Sequence, residues 1–343
     1  MLQVDNRTPF VAGLFVFPDQ HGCDTLYVVL KATFSFAGGR VTLAETRRPI
    51  ATSDTFCGEP GASSLAYANE AHLRKPTTDV AVVGEAVTPD ERPAPSCPVR
   101  VSVGPVQRLL LVFGDRAWRT GLGGQRATAP EPFVRMPLEY ERAYGGLHDL
   151  GEKGVTFEAR NPLGKGYRGK RSAADLEGMA LPNIEDPAAL IHSPDDRPAP
   201  VGVGFIAPSW EPRKSFAGTY DERWRTTRAP YLPDDFDPRF FQAAHPDLVC
   251  PAPLVGGEPV ELANLSLDGV VRFRLPTCVL DVSVALGGRT ERPPMTMETV
   301  LFEPTSSLVS LTFRGAVACD KRALQIETVR FELRSMKGLE AGA

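Results

Sequence analysis

The chain has 343 residues, 42% of them hydrophobic and 23% charged, an ordinary globular composition that excludes a chain disordered throughout. Lysine and arginine number 38 against 42 aspartates and glutamates, a formal net charge of -4, so no basic excess exists to draw in nucleic acid. No apolar run approaches the ~20 residues a spanning helix needs, and MLQVDNRTPFVAGLFVF lacks a basic start and a small-residue cleavage site, which predicts a cytoplasmic protein without membrane insertion.

Turn-forming residues are in excess. There are 31 glycines and 32 prolines, well above the roughly 12% that the two together supply in an average chain. They follow no period, so they point to many turns and few long helices.

In chain order, the first third reads as strands. Leu26 to Phe36 is the clearest: Leu26, Val28, Leu30, Ala32, Phe34 and Phe36 share one face, and Lys31, Thr33 and Ser35 take the other. Ala37 to Arg40 turns the chain into a short strand, Val41 to Leu43, a hairpin signal. Asp79 to Val87, Val99 to Val103 and Gln107 to Phe113 are further strands. The middle differs. Between Gly114 and Glu261 lie 18 of the prolines and all three tryptophans, Trp118, Trp210 and Trp224. Periodicity is poor there, but the aromatic and leucine content is too high for disorder, which predicts an ordered lattice of loops. Two short helices are expected in it, from Asp186-Pro187 to about His192 and from Asp237-Pro238 through Ala244, each opened by an Asp cap and a Pro in the first turn. The last quarter returns to strands: Val260 to Ala263, Val270 to Leu275, Val279 to Leu286, Met295 to Phe302, Leu308 to Phe313 and Leu324 to Leu333.

Leu324 and Ile326 have one parity, and Val329, Phe331 and Leu333 have the other. A regular strand cannot bury both sets on one face, so a bulge or break is expected near Glu327–Thr328. The fold class is mainly β: antiparallel sandwich or barrel-like sheets, a long loop-rich middle and a few short helices. A single composite β domain over 1–343 is expected, with subregions 1–113, 114–261 and 262–343, in which strands from the two ends share a core.

Catalytic and metal signatures are sparse. The five histidines never take ligand spacing, and the six cysteines form no CxxC pair, so neither a metal, a cofactor nor a disulfide is expected. Paired carboxylates occur at Glu139/Glu141, Glu185/Asp186, Asp195/Asp196 and Asp234/Asp235. Glycosidases need two carboxylates across a cleft, so a β-rich hydrolase acting on a saccharide or cell-wall fragment is the competing enzymatic reading. The middle instead offers dense polar–aromatic strings of the residue types that anchor interfaces. Trp118, Tyr144, Trp210, Arg213, Tyr220 and Trp224 are the candidates for partner contact. Asp115, Arg116, Glu141, Arg142, Asp221 and Asp235 are the candidates for pinning loops.

The strings recur in an order: TPF near the start, Lys75-Pro-x-x-Asp-Val80, GDRAW, MPLEYERAYGG, NPLGKGY, LPNIEDP, Trp210 to Arg213, AGTYDERW and LPDDFDPRFF. In that order the chain resembles the bacterial family called domain of unknown function 2169, from about Thr8 to about Asn264 and more weakly beyond. The resemblance implies a non-catalytic adaptor or chaperone encoded beside type VI secretion genes. Its partner would be a PAAR-tipped effector or the VgrG spike that carries it. The family supplies no catalytic residues to carry over.

Overall fold

The computed structural model describes residues 2–340. Its architecture follows from one strand, Asp24–Ser35, whose residues are buried on both faces. β-branched and aromatic residues fill it, and these fit a pleated surface. Val11–Pro18 pairs with it on one side and Leu308–Ala318 on the other, both antiparallel. Leu308–Ala318 in turn pairs with Thr296–Glu303, which runs parallel to Asp79–Val82 at the far edge. Short Thr42–Leu43 adds beside Phe34 and Ser35. Strands from both ends of the chain therefore interleave in one sheet.

Two further sheets pack on the same core. One has the order Gln3–Asn6, Ile326–Lys337, Thr277–Leu286, Arg289–Glu291. The other runs Ile184–Glu185, Val106–Phe113, Ser96–Val103, Pro259–Ala263, Val270–Arg274. Phe36 stacks on Phe273 with centroids 5.0 Å apart, and Phe302 meets both edge-on at 6.4 and 6.2 Å. This trio ties the third sheet to the first. The fold is mainly β and mostly antiparallel, and among the described residues no sheet closes into a barrel.

The middle region is ordered as short ribbons and single 3-10 turns. The expected helix after Asp186 is a turn instead: Asp186 accepts from the Ala188 and Ala189 amides and the chain then extends. The second is a 3-10 segment, Pro238–Phe241, capped by Asp237 as expected but ending before Ala244. The one α-helix among the described residues, Glu222–Thr227, was not foreseen, although its cap is legible: Asp221 accepts from the Trp224 amide at 2.8 Å.

Two strings lock the lattice together. Asn161 is fully buried, and its Nδ2 donates to the Tyr140 and Tyr144 carbonyls at 2.7 and 3.0 Å. Tyr144–Gly145 pairs with Lys165–Gly166. The approach is too close for side chains: a Cβ on Gly145 would sit 2.1 Å from the Asn161 carbonyl, and one on Gly164 2.5 Å from the Ala143 carbonyl.

The last strand is bulged where the parity conflict demands it. Ala285 faces Thr328 and Leu286 faces Ile326, leaving Glu327 as the extra residue. The bulge returns Ile326 to the buried face with Val329 and Phe331. Leu324 lies outside the strand, in the preceding 3-10 segment, and is fully exposed. Deleting Glu327 removes the extra residue, so Ile326 then stands two positions before Val329 and is expected to stay on the buried face of a regular strand. Ile326→Ala, by contrast, should lose about 2–5 kcal/mol, the cost of truncating a buried aliphatic side chain, read as a lower midpoint in urea unfolding, and the deletion should lose less.

Candidate functional site

The second face of the Asp24–Ser35 strand is polar yet buried. Lys31 is 4% exposed and pairs with Glu70 at 2.7 Å. Glu70 also accepts from Thr312 Oγ1 at 2.6 Å and from the Ala51 amide at 2.7 Å. Alongside, Lys75 Nζ pairs with Asp79 at 2.6 Å and donates to Thr299 Oγ1. Arg314 pairs with Glu298 at 2.6 Å and donates to the Glu70 carbonyl at 2.5 Å. Glu298 also accepts from the Lys75 amide, and Asp79 from the Ala243 amide. Three cations and three carboxylates thus bind each other and the covering chain. The Lys-Pro-x-x-Asp-Val string acts here, through an ion pair that the sequence reading left without a role.

His72 borders this layer. Its ring stacks on Phe241 at 5.1 Å, and its Nε2 lies 3.5 Å from Arg314 Nη2. Burial, reinforced by the charges of Arg314, Lys75 and Arg213, holds its pKa well below the usual histidine value. The ring is therefore neutral. With Nε2 facing a guanidinium donor, the proton belongs on Nδ1, which has no partner.

Above His72 opens a cavity of about 440 Å³. Its walls are largely aromatic: Phe17, Tyr220, Tyr231, Phe236, Phe240 and Phe241. Arg213 reaches it from the interior, held by the Phe240 carbonyl at 2.9 Å and the Ile206 carbonyl at 2.6 Å. Two carboxylates touch the cavity. Asp19 accepts from the His21 and Cys23 amides at 2.8 and 2.9 Å, and Asp54 from the Asn69 amide at 2.8 Å.

The six residues proposed for partner contact separate by burial. Trp118 and Tyr144 are 2% and 3% exposed and form a small cluster with Leu176, Leu181 and Ile191. Trp210 is also buried, edge-on to Tyr140 at 5.7 Å. Arg213 is 7% exposed. In this fold those four support loops from inside. Tyr220 is 54% exposed and Trp224 half-buried; their rings meet edge-on at 4.7 Å. Trp224 Nε1 donates to the Tyr231 carbonyl at 2.8 Å, which fixes its ring beside the cavity loop.

The six loop residues all bond to loop atoms. Asp115 accepts from Asn183 Nδ2 at 2.9 Å, and Arg142 reaches Asn183 Oδ1 at 3.5 Å. Arg116 pairs with Glu185 and lies 3.9 Å over the Phe113 ring. Glu141 accepts from the Ser64 amide and hydroxyl. Asp221 caps the helix, and Asp235 accepts from Thr219 N at 2.9 Å and Oγ1 at 2.7 Å. Of the remaining paired carboxylates, Asp186 accepts from the Ala188 amide, Asp196 from the His192 and Ser193 amides, Asp195 pairs with Arg168 and Asp234 with Arg228, whereas Glu139 has no such partner among the described residues.

Among the described residues, no helix is long and apolar enough to cross a membrane. The fold and site define a mainly β protein with a loop-built aromatic cavity over a buried ionic layer. Residues 21–314 match the family described as "Uncharacterized protein conserved in bacteria (DUF2169)", and the chain belongs to that family. No curated protein and no solved structure matches the chain.

Two outcomes follow from the buried layer. Arg314→Leu leaves Glu298 buried without its cation, and the expected loss is about 3–5 kcal/mol, measured by denaturant unfolding; Arg314→Leu with Glu298→Leu should recover much of it. The second concerns pH. His72 and His245 are both held below the usual histidine value, chiefly by burial. Unfolded histidines take a proton near pH ~6.5, so below that pH the unfolded chain binds more protons than the fold. Stability is complete above it and falls as the pH drops toward the depressed values. The melting temperature should be lower at pH 5.5 than at pH 7.5, and His72→Phe, which keeps the stack on Phe241, should lose less on the same acidification.

Proposed function

We propose that this protein is a non-catalytic adaptor or chaperone that binds a PAAR-containing effector and helps load it on the VgrG spike of a type VI secretion system. The observation that carries the reading is the exposed Tyr220, which lines the aromatic cavity, with half-buried Trp224 edge-on beside it. An aromatic anchor beside a concave apolar surface, ringed by charge, has the make-up of a protein-binding hot spot. A second hollow around Trp224 is charged on both signs, lined by Arg223, Arg228, Asp221, Asp234 and Asp235. The motif strings that place the chain in its family also build this region, from AGTYDERW to LPDDFDPRFF. A hydrolase acting on a saccharide would need a raised-pKa acid and a second carboxylate free to face it. The paired carboxylates of the middle region other than Glu139 instead serve loop amides, hydroxyls and arginines.

The test is co-purification of the tagged, intact chain with the effector and spike proteins encoded beside it. Tyr220→Ala and Trp224→Ala are expected to weaken capture about thirtyfold each, the equivalent of ~2 kcal/mol per anchor. Melting of Tyr220→Ala should be nearly unchanged, since the residue is mostly exposed. Failure of the intact chain to hold any such protein would overturn the adaptor reading; capture that survives both changes would overturn the site.

A further inference from the structure

One edge of the central sheet is open. In an antiparallel ladder, each residue directs its N–H and C=O to the same side, and sides alternate along the strand. Asp24 accepts from the Cys319 amide, and the Phe36 amide donates to the Ser307 carbonyl. Even-numbered residues of Asp24–Ser35 therefore face Leu308–Ala318, and odd-numbered ones face the other way. Thr33 agrees, since its carbonyl accepts from Ala44 on that other side. Val11 opposes Lys31 and Phe17 opposes Thr25, so the odd residues of Val11–Pro18 bond to the sheet. The N–H and C=O groups of Ala12, Leu14 and Val16 point outward. Among the described residues they have no hydrogen-bond partner.

This edge lacks the usual protection. Natural edges are blunted by charge, by bulges or by a covering segment. Val270–Arg274 and Arg289–Glu291 carry charges, and Asp79–Val82 is covered through the Val82–Val203 and Thr78–Cys250 bonds. Val11–Pro18 reads VAGLFVFP, with no charge and an unbroken register; its one proline, Pro18, ends the strand and leaves the edge open at Ala12, Leu14 and Val16. Its last residues, Phe17 and Pro18, also line the aromatic cavity.

We infer that the partner adds an extended segment to the open edge of Val11–Pro18 and places an apolar or aromatic side chain in the cavity at the Pro18 end. This specifies the binding mode of the adaptor reading and rests on it for the partner's biological identity. Strand addition is the complement that a row of outward amides and carbonyls requires, with side-chain pockets supplying selectivity. A second copy of the chain fits less well. In the two-fold pairing centred on Leu14, the copy would set Val11 opposite Phe17 and Phe10 opposite Pro18. Phe10 is 2% exposed in its own core and cannot leave it to fill the cavity.

The test uses the intact chain and a display library of random dodecapeptides, so its outcome is separate from the spike co-purification. Enriched peptides should be extended, with alternating apolar residues and an aromatic toward one end. On binding they should slow hydrogen exchange at the Leu14 and Val16 amides. Val16 is 45% exposed and its amide faces outward, so Val16→Pro removes an edge donor without removing a bond to the sheet. It should weaken binding at least about tenfold, one hydrogen bond of ~1.4 kcal/mol; Val16→Thr should bind as the parent does. The inference is overturned if no peptide is enriched, if the Leu14 and Val16 amides stay unprotected, or if Val16→Pro binds undiminished. It is equally overturned if the chain is a dimer in solution that Val16→Pro converts to a monomer.

Discussion

A central strand buried on both sides normally carries apolar residues on both, and here it does not. The Lys31 face of Asp24–Ser35 is covered by chain held through Lys31–Glu70, Lys75–Asp79 and Arg314–Glu298. Ion pairs removed from water earn back their desolvation only with good geometry and extra hydrogen bonds. Those extra bonds are the link to the rest of the molecule. Glu70 takes the Ala51 amide, Glu298 the Lys75 amide, and Asp79 the Ala243 amide. Three segments distant in sequence are thereby fixed over the sheet by directional contacts, whereas an apolar face would have accepted many placements. The aromatic cavity lies beside those segments: Ala71 and His72, just after Glu70, and Phe240 and Phe241, just before Ala243, line it together with Phe17.

The strands were legible because period-two patterns survive in sequence wherever one face is apolar. Asp24–Ser35, Ser96–Val103, Val106–Phe113 and Thr277–Leu286 all appear within a few residues of their expected bounds. The Glu327 bulge was legible for a related reason: a parity conflict inside one apolar run has few structural solutions. The helix after Asp186 was not, because an Asp cap serves a turn as well as a helix when no apolar spacing follows. The Glu222–Thr227 helix was hidden by its six-residue length, too short to show a period.

The site was harder to read, and the reason is physical. Trp, Tyr and Arg mark interfaces, but a loop lattice without long strands also needs them as its core. Trp118, Tyr144 and Trp210 serve that second need. Sequence alone carries no signal that separates Trp118 from Trp224. The ionic layer was missed because Lys31 alternates with apolar neighbours as a solvent-facing residue would, and its partner Glu70 lies 39 positions away.

The small cluster of Trp118, Tyr144, Leu176, Leu181 and Ile191 is separate from the main apolar core. It joins the remainder through polar contacts, chiefly Arg116 with Glu185 and Asn183 with the Phe113 carbonyl and Asp115. A region so built is its own cooperative unit, with an opening free energy set by a handful of side chains instead of by the whole fold. The 118–127 ribbon and the 167–181 loop that enclose this cluster can therefore loosen and re-form while the three sheets stay intact, a partial melting confined to one end of the loop lattice.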